Sequence, residues 1–285
     1  MKKIKFSKLN GQGNDFIIID ATESQIKLSV SQITEMCNRN FGIGADGLIL
    51  VKKSEVSNLK MEYYNRDGSV AEMCGNGIRC MARFAYEKNL INSKNINIET
   101  LAGIKKISLD IENNKVGNIK VGMGSPEFRP ENIPVKIKNK YEVFNYKITV
   151  DSKKFYINCI SLGNPHCVVF LEDIESLDTF PVNKWGPKLE NHNIFPNKTN
   201  VEFIQINSNK ELNMRVWERG VGETLSCGTG ACAAGVCAIK LKKIKREKIA
   251  VNMPGGKLTI IWDCPDSEVY LEGKVDYSFD GQYLL

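Results

Sequence analysis

The sequence predicts an α+β fold made of two pseudo-symmetric halves, each a mixed sheet or barrel wrapped around a central helix, with a candidate active site in the cleft between them. Three observations support this prediction. Motifs repeat at about half the chain length, strand-like runs outnumber helical ones, and one helical segment is apolar on all faces. We expect the halves to be residues 1–124, joined by the final strand 274–285, and residues 125–273.

The repeat is clearest in two blocks that end in Cys-Gly-x-Gly. Residues 63–77 read YYNRDGSVAEMCGNG and residues 216–230 read VWERGVGETLSCGTG, an offset of 153 residues. A Gly-Asn dipeptide recurs at 13–14 and 163–164, an offset of 150 residues. Collinear matches at nearly one offset indicate two homologous halves. Duplication alone leaves open whether the halves share one site.

Strand and helix signals follow the same order in both halves. In the first half, strands are expected at Ile4–Lys8, Phe16–Asp20, Leu48–Lys52 and Lys60–Asn65 and between Ile96 and Met123, and helices at Ser31–Arg39 and Ile78–Lys88. In the second half, strands are expected at Phe155–Ser161, Cys167–Leu171, Val201–Gln205 and Asn213–Glu218 and from Ile249 onward, and helices at Val182–Glu190 and Ala231–Leu241. The segment Ala231–Ile239 (ACAAGVCAI) is apolar on all faces, which indicates a helix buried all round.

The composition is that of a soluble globular protein. The chain has 285 residues, 42% hydrophobic and 25% charged, with no apolar run of membrane-spanning length and no signal-peptide pattern. We therefore expect a cytoplasmic protein without a membrane partner. The net charge of +6 is concentrated at 240–248, where it suits a solvated helix end, and no nucleic-acid signature accompanies it. No nucleic-acid partner is expected.

Each Cys-Gly-x-Gly turn combines a thiol with the start of a helix. The glycines let a ligand approach the backbone, and the unpaired N–H groups of the first turn attract a carboxylate. The same field favours thiolate over thiol, so we expect a lowered pKa for Cys74 and Cys227. Two such turns could hold one carboxylate with a sulfur on each side of the neighbouring carbon. The arrangement suits removal of a proton from one face of an α-carbon and its delivery to the other.

Nine cysteines are more than this chemistry needs. For Cys74 and Cys227 the duplication favours a functional role, and a disulfide between them is the main rival interpretation. The other seven are expected to be inert buried thiols: Cys37, Cys80, Cys159, Cys167, Cys232, Cys237 and Cys264. The spacing of the cysteines does not fit a zinc site and no lysine motif indicates pyridoxal phosphate, so we expect neither metal nor cofactor.

The motifs taken together resemble the diaminopimelate epimerase family. They are GQGNDF at 11–16, GIGADGL at 42–48, YYNRDGS at 63–69, MCGNGIRC at 73–80, LGNPHCV at 162–168, TNVEF at 199–203 and ERGVGETLSCGTGACA at 218–233. The resemblance runs in order along nearly the whole chain. It implies two α/β halves with the site between them and an isomerase that works without pyridoxal phosphate. Its substrates would be LL- and meso-diaminopimelate, intermediates for lysine and peptidoglycan.

The resemblance also implies roles for individual residues. Cys74 and Cys227 would be the acid/base pair. The backbone of four residues would hold the reacting carboxylate: Gly75, Asn76, Gly228 and Thr229. Six side chains would read the distal amino-acid end of the substrate: Asn14, Asn65, Asn164, Asn200, Glu218 and Arg219. His166 would lie near the site.

One position departs from the family pattern. Some members carry Gln where this chain has Gly47, so a contact made by that Gln would be absent here or replaced by backbone or water. The resemblance leaves open whether the chain forms a homodimer.

Two other functions fit the residues less well. A two-thiol racemase acting on proline or hydroxyproline would not need Glu218, Arg219 and four Asn for a second amino-acid end. A binding protein without catalysis would not need two intact thiols.

Overall fold

The computed structural model describes residues 3–172, 174–245, 247–263 and 267–285. The chain divides into two units. Unit 1 is Met1–Gly122 with Glu272–Leu285, and unit 2 is Met123–Leu271. No helix in the described ranges is long and apolar enough to cross a membrane.

In the part of unit 1 that the structure describes, strands predominate and two helices occur. In chain order its elements are β1 (Lys3–Gly11), β2 (Asn14–Asp20), α1 (Val30–Cys37), β3 (Gly47–Lys52), β4 (Leu59–Asn65), β5 (Val70–Ala71), α2 (Gly75–Glu87), β6 (Asn95–Thr100), β7 (Gly103–Glu112) and β8 (Lys115–Gly124). Helix α2 packs against β1, β2, β3 and β7, so the strands surround it.

Unit 2 repeats this plan. Its elements are β9 (Tyr146–Val150), β10 (Lys153–Ser161), β11 (Pro165–Phe170), α3 (Val182–Glu190), β12 (Asn200–Ser208), β13 (Glu211–Glu218), β14 (Gly222–Thr224), α4 (Gly228–Lys240), β15 (Lys248–Met253), β16 (Gly256–Ile261) and β17 (Val269–Gly273). The last strand, β18 (Asp276–Leu284), pairs antiparallel with β1 of unit 1. Helix α4 packs against β10, β11, β12, β13, β15 and β16 and is buried on all faces over most of its length, as its apolar sequence predicts.

The strand registers of the two units are equivalent. In unit 1, β2 and β3 run parallel with Phe16 opposite Gly47. In unit 2, β11 and β12 run parallel with His166 opposite Asn200, which are the repeat positions of that same pair. The sequence repeat therefore corresponds to a repeat of backbone pairing.

Both central helices begin earlier than the sequence predicts. Helix α2 begins at Gly75 rather than after Gly77, and α4 begins at Gly228 rather than Ala231. Glycine disfavours helix by up to about 1 kcal/mol per residue. Here the preceding cysteine caps each helix, because its sulfur accepts the N–H of the third helical residue. The cysteines are thus N-caps rather than loop residues.

Candidate active site

The site residues of unit 1 gather at the start of α2. Cys74 has an extended backbone (φ −137°, ψ 124°), and its Sγ accepts a hydrogen bond from the Gly77 N–H at 3.5 Å. Gly75 and Asn76 form the first turn, where backbone N–H groups are not used within the helix. The thiol and the anion-binding end of the helix therefore lie side by side, as expected.

Asn14 contacts this helix start directly. Its Oδ1 accepts from Cys74 Sγ at 3.6 Å and from Asn76 Nδ2 at 3.5 Å, while its Nδ2 donates to Asp46 Oδ2 at 3.0 Å. Three residues that the sequence predicts for the site are thus joined. Asp46, which was not predicted, fixes the orientation of the Asn14 carboxamide because a carboxylate only accepts.

Asp46 belongs to a network of charged side chains. Arg39 Nη2 donates to Asp46 at 2.8 Å and forms a two-pronged pair with Asp15, which also lies 2.7 Å from Lys8 Nζ. Burial raises the pKa of Asp15, but the hydrogen bonds from Arg39 and Lys8 outweigh it and hold that pKa well below its usual range. Sequence reasoning missed this network because its members are far apart in the chain.

Arg79 lies completely buried within α2 and contacts the helix start. Its Nη1 donates to the Gly75 carbonyl at 3.0 Å and its Nη2 to Asn76 Oδ1 at 2.8 Å, and Nη2 also contacts Gln12 Oε1. A buried charge needs such partners. The signal for it was an arginine between Ile78 and Cys80 in MCGNGIRC.

Gly47 and Asn65 face each other across β3 and β4. Asn65 Nδ2 donates to Ser69 Oγ at 3.0 Å within the adjoining turn. Gly47 is buried, and a Cβ there would lie 2.6 Å from the Tyr63 ring and 2.7 Å from the Tyr64 carbonyl oxygen. The tyrosine ring thus occupies the space that a larger residue would need.

Unit 2 has an equivalent helix start. Cys227 caps α4 with an extended backbone (φ −133°, ψ 114°), and its Sγ accepts the Gly230 N–H at 3.3 Å. Thr229 Oγ1 lies 3.5 Å from the same sulfur, and Gly228 opens the first turn.

The pKa expected for Cys227 is wrong in direction. Burial, followed by the charges of Glu218 and Glu202, raises the pKa of this thiol well above its usual value. Hydrogen bonds from Thr229 and Gly230 act the other way but do not compensate. Cys227 is only 7% exposed, and this desolvation exceeds the effect expected from the helix start.

Of the remaining predicted residues of unit 2, Glu218 lies close enough to Cys227 for its charge to raise the pKa of that thiol, while Asn200 and Arg219 contact each other. Burial raises the pKa of Glu218, whose Oε1 accepts from Thr224 Oγ1 at 2.5 Å. Asn200 Oδ1 accepts the Arg219 N–H at 2.9 Å, and the exposed Arg219 side chain reaches the Asn197 carbonyl oxygen at 3.3 Å.

Asn164 and His166 form a second chain of contacts. Asn164 Nδ2 donates to Thr229 Oγ1 at 3.3 Å, and its Oδ1 lies 2.9 Å from His166 Nε2. His166 Nδ1 lies 2.7 Å from Oε1 of Glu202. Sequence reasoning placed Glu202 on a strand within TNVEF but assigned it no role.

Most of the other cysteines are buried, as the sequence predicts. No disulfide joins the cysteines in the part of the chain that the structure describes, Cys74 and Cys227 among them. Six of the seven expected to be bystanders are buried: Cys37, Cys80, Cys159, Cys167, Cys232 and Cys237. The seventh, Cys264, lies outside the described residues.

Comparisons with known proteins agree with the motifs. The family model for diaminopimelate epimerase matches residues 6–129 and 158–278. A diaminopimelate epimerase of Methanococcus maripaludis is 44% identical over 279 residues, which cover 98% of this chain and 99% of that protein.

Solved structures confirm the α+β fold class. A PhzF-family phenazine biosynthesis protein of Bacillus anthracis superposes with a TM-score of 0.71 at 20% identity over 100% of both chains. A probable proline racemase of Agrobacterium radiobacter gives a TM-score of 0.71 at 12% identity, over 99% of this chain and 93% of that one. At these identities the likeness concerns the fold alone.

Proposed function

Because the chain belongs to the diaminopimelate epimerase family, we propose that it interconverts LL-2,6-diaminopimelate and meso-diaminopimelate without pyridoxal phosphate. The reaction would serve lysine and peptidoglycan precursor biosynthesis. The observation that carries the proposal is the equivalence of Cys74 and Cys227, each the N-cap of a buried central helix. A thiol without a function would have no reason to recur at the equivalent position of both units.

The proposed mechanism uses two bases. One thiolate removes the α-proton, the other thiol supplies a proton to the opposite face, and the configuration at the carbon inverts. Electron density moves from the C–H bond toward the substrate carboxylate, which the backbone N–H groups of Gly75, Asn76, Gly228 and Thr229 would stabilise. Both sulfurs must reach one α-carbon for this chemistry. The raised pKa of Cys227 suits it to the role of the protonated partner that donates a proton to the substrate.

The binding shell would recognise the distal amino-acid end of the substrate. Arg219 offers a guanidinium that can grip a carboxylate with two parallel hydrogen bonds, and Glu218 can accept from an ammonium group. The carboxamides of four further residues supply both donors and acceptors: Asn14, Asn65, Asn164 and Asn200. Gly47 would contribute no side chain to this shell.

We also propose that the protein acts in the cytoplasm on this small-molecule substrate. A reducing compartment keeps cysteines as thiols. A persistent bond between Cys74 and Cys227 would remove both the base and the acid.

The test is isotope exchange by the purified protein in heavy water. Wild-type protein should convert LL-diaminopimelate to the meso form with deuterium at one α-carbon. Cys74→Ala and Cys227→Ala should each lower turnover by about 10³-fold or more, because each removes one proton-transfer group. The matched control is Cys232→Ala, which removes a buried thiol from α4 and should leave turnover intact.

Three outcomes would contradict the proposal. Normal turnover by either variant would exclude the two-base mechanism. Activity on proline with none on diaminopimelate would overturn the substrate, and tight binding of diaminopimelate without exchange would indicate a binding protein.

A further inference from the structure

An ionisable pair is completely buried beneath the start of α4. His166 and Glu202 are each 0% exposed, with Nδ1 and Oε1 2.7 Å apart. Burying two ionisable groups costs free energy unless their partners are well placed. Apolar packing alone therefore does not explain why an ionisable pair occupies this position.

The repeat shows that packing alone does not require this pair. The equivalent positions in unit 1 are Phe16 and Ile49, which lie on β2 and β3 as His166 and Glu202 lie on β11 and β12. A Cβ on Gly77 would lie 3.3 Å from the Phe16 ring and 3.2 Å from Ile49 Cδ1. An apolar pair therefore supports the same helix start in unit 1.

In unit 2 the polar pair touches the same place. A Cβ on Gly230 would lie 2.8 Å from Glu202 Oε1. His166 extends the contact outward to Asn164, which is half-buried and in turn contacts Thr229. The side-chain contacts from Glu202 through His166 to Asn164 thus connect the buried interior with a residue of the proposed binding shell.

Hydrogen-bond chemistry decides where the proton of His166 lies. With Asn164 Oδ1 facing Nε2, that nitrogen must carry a proton, because the amide oxygen only accepts. Nδ1 and Glu202 then share one further proton, and whichever atom holds it, the pair has no net charge. The opposite amide orientation would place the proton on Nδ1. It would leave Glu202 either as a carboxylate with a net negative charge in a completely buried site or as an acid whose Oε2 proton has no acceptor among the described residues, and both are more costly.

A second feature of Glu202 favours the uncharged arrangement. Among the described residues, no hydrogen-bond partner reaches its Oε2. A buried carboxylate with one bare oxygen would leave its charge poorly compensated.

We propose that Glu202 is a positioning residue that holds the Nδ1 side of His166, keeps a proton on Nε2 and thereby fixes the carboxamide orientation of Asn164. The proposal rests on the proposed function, in which Asn164 reads the amino-acid end of the substrate. One N–H and one lone pair of the carboxamide are committed to Thr229 and His166. The second N–H and the second oxygen lone pair of the Asn164 carboxamide are then each left at a fixed position for the substrate. A reversed carboxamide would exchange these positions and present a donor where the substrate needs an acceptor.

Three variants test this role. Glu202→Gln can donate its amide N–H to Nδ1 and so keep the proton on Nε2, and its KM should stay within about threefold of wild type. Glu202→Ile removes the partner of Nδ1, lets both tautomers form and should raise KM about tenfold or more, with a smaller effect on kcat. His166→Phe combined with Glu202→Ile copies the apolar pair of unit 1, so it should fold with an unchanged circular dichroism spectrum yet show the same raised KM.

A spectroscopic readout tests the proton directly. The chain has two histidines, so ¹⁵N-histidine NMR gives two rings, and His192→Asn assigns them. Wild-type protein and Glu202→Gln should show His166 protonated on Nε2, whereas Glu202→Ile should show both tautomers. A purely structural role for Glu202 would not move this signal.

The outcomes separate this inference from the proposed function. If wild-type protein epimerises diaminopimelate and Glu202→Ile has an unchanged KM, the positioning role is wrong and the function stands. If wild-type protein does not act on diaminopimelate, the function is wrong, and the tautomer of His166 still decides the role of Glu202. A proton on Nδ1 alone in wild-type protein would overturn the inference in either case.

Discussion

The Cys227 thiol lies in an environment that opposes its ionisation. Burial and the nearby carboxylates of Glu218 and Glu202 raise its pKa, whereas the hydrogen bonds from Thr229 and Gly230 lower it. A substrate carboxylate bound at the helix start would add a further negative charge. Cys227 is therefore expected to remain a thiol unless a nearby base accepts its proton. This suits a thiol that acts together with a second base.

The neighbours of Gly47 leave no room for a side chain at that position. Gly47→Ala should lower the free energy of unfolding by about 1–3 kcal/mol, because the added Cβ would overlap the Tyr63 ring and the Tyr64 carbonyl. Urea unfolding measures this. The control is Gly117→Ala, also in a strand, where the nearest atom is the flexible Asp110 carboxylate at 3.3 Å and the cost should be under about 1 kcal/mol. Equal effects at both sites would contradict the overlap.

The two helix starts provide a matched comparison at the level of elements. Gly77→Ala should change the free energy of unfolding by less than about 1 kcal/mol, since the Cβ meets the apolar ends of Phe16, Ile49 and Met61 at 3.2–3.3 Å. Gly230→Ala should cost about 1–3 kcal/mol more, because its Cβ would lie 2.8 Å from a buried carboxylate oxygen. Urea titrations of the two variants measure the difference. Equal stability would mean that Glu202 moves away freely.

Sequence patterns predicted most helices and strands but few of the hydrogen bonds between their polar side chains. Helix α3 has the expected bounds, and the buried character of α4 follows from its composition. The short strands β5 and β14 were missed because two or three residues show no alternation. The role of Glu202 was missed because its partner, His166, lies 36 residues away, a distance that only the parallel pairing of β11 and β12 closes.

At the scale of the whole molecule, buried ionisable groups limit stability at both ends of the pH range. The pKa of Asp15 is lower in the folded protein than in the unfolded chain. Its contribution to stability is therefore present above about pH 4 and is lost as the pH falls further toward the folded value. The buried thiols act in the opposite direction, because their folded pKa values are raised.

Alkaline pH should destabilise the protein through these thiols. Burial raises the pKa of Cys37 to about 11 and raises those of Cys80, Cys167, Cys227 and Cys237 as well. Their contribution is complete below the unfolded pKa of about 8.5 and is lost above it, at up to about 1.4 kcal/mol per pH unit for each thiol. Urea unfolding at pH 7.5 and 9.5 should show this decline. Cys80→Ala, which removes one such thiol from α2, should make the decline shallower by one thiol's share, and an unchanged slope would show that Cys80 ionises without unfolding.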